Sequence, residues 1–257
     1  MEGWFTGRVD LETLAWIVGS GMATALGGAA LLAVRTPSGR ALDALLGFTA
    51  GVMLGATAFS LLVPALERGS GTEVLAGFLL GGGALAALDA VMPHAHARFA
   101  ERGRKAVEQR AAEQRAVLLL AALTIHNIPE GLAVGLAFAA GGPELGIPLA
   151  LGIGIQNVPE GFAAAAPLIP AGTSRRAAAG VAALTGLVEP PSALVAFATV
   201  GVVEPALPAG LGFAAGAMLY VIVDELIPES HAGGHELDAT LALLAGFALM
   251  VGLDTAL

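Results

Sequence analysis

The sequence predicts an all-α integral membrane protein of eight transmembrane helices, and three observations carry that expectation. Of its 257 residues 56% are hydrophobic and 13% charged, whereas a soluble domain is nearer half apolar and a quarter charged; the mean hydropathy is +0.79. The apolar residues fall into runs close to the roughly 20-residue length that crosses a bilayer, joined by connections too short to hold a soluble domain. The basic residues are confined: ten of the twelve Lys and Arg lie in three connections, at 35–40, 98–115 and 175–176.

The first helix is expected near 11–33. Glu2, Asp10 and Glu12 precede it and Arg35 follows, the reverse of a cleaved signal peptide, so it is expected to remain as a helix. The second, near 42–65, opens with Gly47-Phe48-Thr49-Ala50-Gly51-Val52-Met53-Leu54 and reaches Pro64. The third, near 74–94, ends in Asp89 and Pro93-His94-Ala95-His96. The basic stretch 98–115 that follows reads as a solvated cytoplasmic loop, not a nucleic-acid surface. The fourth and fifth, near 116–139 and 145–169, carry two copies of one motif thirty positions apart, Ile125-His126-Asn127-Ile128-Pro129-Glu130-Gly131 and Ile155-Gln156-Asn157-Val158-Pro159-Glu160-Gly161. The sixth, near 177–201, is interrupted by Glu189-Pro190-Pro191. The seventh, near 206–227, opens with Gly212-Phe213-Ala214-Ala215-Gly216-Ala217-Met218-Leu219 and reaches Pro228, and the eighth is near 238–256.

With eight spans the three basic connections share one side, which the positive-inside rule makes cytoplasmic. Both termini are then outside a multi-pass plasma (inner) membrane protein. The second and seventh helices, alike in sequence, cross in opposite directions, the pattern of an inverted repeat. Cysteine is absent, which excludes disulfides, thiolate metal sites and thiol catalysis.

The chemistry lies in the paired motifs. Each sets a ligand-type side chain and a carboxylate at i and i+4, on one helical face. Pro129 and Pro159 free the carbonyls of Ile125 and Ile155 beside them, a defect tolerated in a membrane only where it faces protein or a wet cavity. On insertion scales Glu130, Glu160 and Glu189 cost on the order of 8–10 kcal/mol together if uncompensated. No Lys or Arg lies within those three helices, so the compensation is protons or a bound cation. Imidazole with carboxylates and amide oxygens suits Zn²⁺, Fe²⁺, Mn²⁺ or Cd²⁺ better than Ca²⁺ or Mg²⁺. Met53 either adds a thioether or simply packs. A second polar group, Asp89, His94 and His96 with Asp224, Glu225, Glu229 and His231 and with His235 beyond, reads as an exit station for metal, against the plainer reading of solvated helix ends. Glu67 and Asp254, near the outer face, either attract cations at an entrance or are merely solvated.

These motifs resemble the ZIP (Zrt/Irt-like) family of divalent-metal transporters, in particular its GufA-like branch. The resemblance rests on His-Asn-x-Pro-Glu-Gly at 126–131, Gln-Asn-x-Pro-Glu-Gly at 156–161, Glu189, the Gly-Phe-x-Ala-Gly-x-Met-Leu helix at 47–54, Pro-His-x-His at 93–96 and Asp-Glu-Leu-Ile-Pro-Glu at 224–229. It implies eight helices arranged as three, two and three, metal moved into the cytoplasm, no cofactor, and often a homodimer. It further implies a main site of His126, Glu130, Gln156 and Glu160 with Met53 beside it, and an adjacent site of Asn127, Asn157 and Glu189 bridged by Glu130 and Glu160, so that two metals can be held. Asn157 stands where some relatives have Asp, which weakens the second position. An intramembrane metalloprotease would need three protein ligands and a general base around an activated water. The chain has no His-Glu-x-x-His, and His126 is its only histidine within a span apart from His94 at the end of the third. A metal-gated receptor or passive channel would use the same ligands, and uptake into sealed vesicles separates the two.

Overall fold

Asp10 caps the first helix, accepting a 2.7 Å hydrogen bond from the Thr13 amide, and that donor holds its carboxyl below the usual range. From there the structure, a computed structural model, describes residues 9–34, 37–91, 105–169, 172–200 and 204–257, with 91, 105–123 and 204 described by backbone alone. Among the described residues every regular element is helical, and seven helices are long and apolar enough to cross a membrane. They are α1 (Leu11–Ala33), α2 (Gly39–Arg68), α3 (Gly71–Ala90), α4 (with Thr124–Leu168 as its apolar part), α5 (Arg175–Val200), α6 (Leu207–His231) and α7 (Glu236–Ala256).

The difference from the expected eight lies in α4. Its helix runs from Lys105 to Ala165 without a gap, but Gly142 sits at φ 58°, ψ −144°, a backbone region open essentially to glycine alone. Pro143 follows and restarts the helix with its φ already set. The chain folds back there: Gln156 Nε2 donates to Glu130 Oε1 at 2.8 Å, although 26 residues of straight helix would hold them about 39 Å apart. The break falls between the stretches expected as the fourth and fifth helices. The first limb is already helical at Lys105, ahead of the apolar stretch expected from 116, because 105–115 is rich in Ala, Glu, Gln, Arg and Lys, strong helix formers that continue a helix past its apolar part.

Helix α2 and helix α6 share two departures from ideal geometry. In each a proline removes an N–H and crowds the preceding turn, and the turn before it widens to i→i+5 bonding, over Ala56–Leu62 ahead of Pro64 and over Ile222–Leu226 ahead of Pro228. Each also packs by glycine against backbone. A methyl group at Gly47 or Gly51 would collide with the Ala239 or Leu243 carbonyl of α7, and one at Gly212 or Gly216 with the Val74 or Phe78 carbonyl of α3. Small residues let helix backbones approach where lipid leaves no hydrophobic drive between helices. Exposed leucines cover α3 (Leu75, Leu79, Leu80 and Leu88) and α7 (Leu237, Leu241 and Leu244), a face suited to lipid tails. The buried core between them includes Ile17, Val52, Met53, Leu149, Ile153, Leu211 and Met218.

Candidate metal centre

The two motifs meet because the limbs of α4 are antiparallel neighbours and each is pressed onto another helix at its motif glycine. A methyl at Gly131 would strike the Glu189 carbonyl of α5, and one at Gly161 the Thr24 carbonyl of α1. The Pro-Glu-Gly triplet thus combines a freed carbonyl, a carboxylate and a contact point. Helix α5 breaks at Leu187 and Val188 and restarts at Glu189, with Pro190 and Pro191 in the first turn, where a missing N–H costs nothing.

The side chains so gathered are buried: His126 is 6% exposed, Glu160 4%, Glu130 and Glu189 1% each, and Asn127, Gln156 and Asn157 are fully enclosed. They form a chain of contacts. Besides Glu130 Oε1, Gln156 Nε2 reaches Asn157 Oδ1 at 2.7 Å. Asn157 Nδ2 donates to Glu189 Oε1 and Oε2 at 2.9 and 3.0 Å and to the Ser20 carbonyl at 2.9 Å. Thr24 Oγ1 donates to Glu189 Oε1 at 3.4 Å. His126 Nε2 lies 2.8 Å from Glu225 Oε1, an ion-pair distance.

What the contacts leave over matters more. Both polar atoms of Asn127, together with Glu130 Oε2, Gln156 Oε1 and Glu160 Oε2, are buried without a hydrogen-bond partner. An unpaired buried acceptor costs about 1–3 kcal/mol, more when charged, so several in one place mark a function. Among the described residues no three His, Asp or Glu side chains close an ion shell by themselves; any such shell here draws on the amides.

Residues 93–254, which hold both motifs, Glu189 and the acids of α6, match the family described as ZIP Zinc transporter. This chain belongs to the ZIP family. The ZIP chain is 44% identical to a protein named zinc transporter GufA from Myxococcus xanthus, over 93% of this chain and 96% of that one. It is also 44% identical to zinc transporter ZIPB from Bordetella bronchiseptica, over 91% of this chain and 78% of the other. Human zinc transporter ZIP11 is 33% identical, over 91% and 94%.

The remaining expected site residues of this ZIP protein are dispersed. Met53 is buried in the core one turn beyond Thr49, whose hydroxyl donates to the Gln156 carbonyl at 3.4 Å. Asp89 accepts from the Tyr220 hydroxyl at 3.0 Å, tying α3 to α6. Glu225, expected in the exit group, faces His126 from the widened turn of α6. Glu229 is exposed and His231 half-buried. His94 and His96 lie outside the described residues. His235 is drawn away to Asp43, with Nδ1 2.9 Å from Oδ2. Asp254, expected either to attract cations at an entrance or to be merely solvated, accepts from Ser60 at 3.0 Å in the widened turn of α2. Sequence reading passed over Ser20, Thr24 and Thr49. Their signal was present, as hydroxyls and small residues at helical spacing in apolar spans, but their partners are distant in the chain.

Proposed function

We propose that this ZIP protein carries zinc across the membrane into the cytoplasm through a centre between the two limbs of α4, with Cd²⁺, Fe²⁺ and Mn²⁺ as alternative cargo. The observation that carries the proposal is the group of buried, unpartnered ligand atoms, Asn127 Oδ1, Glu130 Oε2, Gln156 Oε1 and Glu160 Oε2, within spans that contain no Lys or Arg. A dication supplies what these atoms lack. His126, Glu130, Gln156 and Glu160 are the ligands of the cargo, with Met53 beside them, and Asn127, Asn157 and Glu189 border the adjacent position. The two ligand carboxylates, Glu130 and Glu160, balance the charge of one dication, which holds the ion without trapping it. Glu225, next to His126, takes the ion onward towards Asp89, Glu229, His231 and the pair His94 and His96. The protein is a transporter, not an enzyme.

The fold-back at Gly142 turns the 45-residue segment Thr124–Leu168 into two spans and the total into eight, which puts both termini on one face. That face is the outer one, because the basic connections then lie in the cytoplasm. The limbs of α4 form the central pair of a three, two and three arrangement. The matched glycine packing and widened turns of α2 and α6 support an inverted repeat between α1–α3 and α5–α7.

The test is zinc uptake by proteoliposomes carrying Glu130→Ala or Glu160→Ala at matched insertion. Each variant removes a charge that opposes insertion, so membrane assembly is retained while transport is lost. Near-normal uptake by both would sink the proposed site.

A further inference from the structure

Asn157 is where the resemblance and the geometry part. As a ligand of a second metal it would have to turn its carbonyl oxygen towards Glu189. Its surroundings set the opposite direction. The two ends of an amide are told apart by their neighbours. Around Nδ2 stand three acceptors, the Ser20 carbonyl and both oxygens of Glu189, at 2.9 to 3.0 Å, while Oδ1 receives the Gln156 amide at 2.7 Å. Rotating Asn157 by half a turn would set its oxygen against three oxygens and its N–H group against another N–H group. Gln156 is fixed in turn, since its Nε2 also serves Glu130 Oε1 at 2.8 Å. With Thr24 on Oε1 as well, both oxygens of Glu189 are already engaged, and neither appears among the unpartnered atoms.

We propose that Asn157 is a positioning residue, not a metal ligand: its amide N–H groups clamp Glu189 to α1 and close the adjacent position, so that the centre carries one metal at a time. The proposal rests on the reading of His126, Glu130, Gln156 and Glu160 as the cargo site. It assigns Ser20 and Thr24 a purpose, as the α1 side of the clamp. It also states what Asp at this position would do. A carboxylate at 157 would face the Ser20 carbonyl and the Glu189 carboxylate at hydrogen-bond distance with no proton between them, and a second cation would relieve that conflict.

X-ray absorption at the zinc edge separates the cases, using purified full-length protein loaded with Zn²⁺ alone at one and two equivalents. A two-metal centre gives a metal–metal scattering path at about 3.5–4 Å, which zinc bound at scattered exit residues does not. The wild type is expected to lack that path at both loadings, and Asn157→Asp to show it at two equivalents. A zinc–zinc path in the wild type overturns the proposal, as does its absence from a folded, doubly loaded Asn157→Asp. If that variant does not fold, the wild-type spectrum decides alone. Failure of the underlying site looks different: imidazole in the zinc shell at one equivalent that survives His126→Ala would remove the cargo site itself, whatever the zinc–zinc path shows.

Discussion

Gly21 of α1 faces the turn that presents Glu189, and adding one methyl group there tests whether the placement of that carboxylate governs transport. A Cβ at position 21 would stand 2.8 Å from Pro190 Cδ, 2.9 Å from Glu189 Cβ and 3.2 Å from the Gly186 carbonyl. Ordinary carbon–carbon contact is about 3.5–4.0 Å, so the two helices must part by roughly 0.6–1 Å. None of the struck atoms is the free end of a flexible side chain. Overpacking of this kind costs about 1–3 kcal/mol, while replacing a helical glycine by alanine returns about 1 kcal/mol, so the net loss of stability is at most about 2 kcal/mol and the displacement falls on the site. The Thr24–Glu189 hydrogen bond, at 3.4 Å, is already at its limit and would be lost. One hydrogen bond to a charged group is worth about 1.5–3 kcal/mol, and each 1.4 kcal/mol is tenfold, so Gly21→Ala is expected to slow zinc uptake tenfold or more. Gly19 is the internal control: it lies two residues away on the same helix, and a methyl there meets nothing within 4 Å. Gly19→Ala should transport normally and melt no lower than the wild type. Uptake rates of the two variants within twofold of each other, at equal insertion into proteoliposomes, would refute the reasoning.

Two further expectations concern the ends of the helices. Asp43, buried, holds His235 beneath the Gly233 turn, whereas Arg40–Asp238 is an open pair at 2.7 Å; Asp43→Ala should cost about 1–3 kcal/mol and Arg40→Ala clearly less, because solvent screens the open pair. Thermal denaturation in detergent ranks them, and equal losses would show that the Asp43 contact is not the stronger tether. For orientation, single cysteines placed in this cysteine-free chain are probed with an impermeant maleimide on intact cells. Gly3→Cys should label and Lys105→Cys should not, and the reverse result would invert the topology.

The membrane class and the paired motifs were legible because both depend on near neighbours. Hydropathy needs only a run of about 20 residues, and the i, i+4 pairs His126 with Glu130 and Gln156 with Glu160 need only one helical turn. The sequence also marked the prolines that widen α2 and α6, though not the i→i+5 bonding they bring about. Helix α4 is helical ahead of its apolar part because hydropathy reports where lipid ends, and helix propensity carries the backbone further.

The residues of this chain therefore determined by themselves that it lives in a membrane, that it buries carboxylates without basic partners, and which helices carry them. Only the tertiary structure decided where those groups point. The left-handed backbone at Gly142 brings Glu130 to Gln156, glycine contacts bring Ser20 and Thr24 to Asn157 and Glu189, and the widened turn of α6 delivers Glu225 to His126. The direction of an amide or the partner of a carboxylate is set by atoms more than a hundred residues away along the chain, as between Asn157 and Ser20. Local pattern holds no record of such distances; close packing of backbones against backbones does.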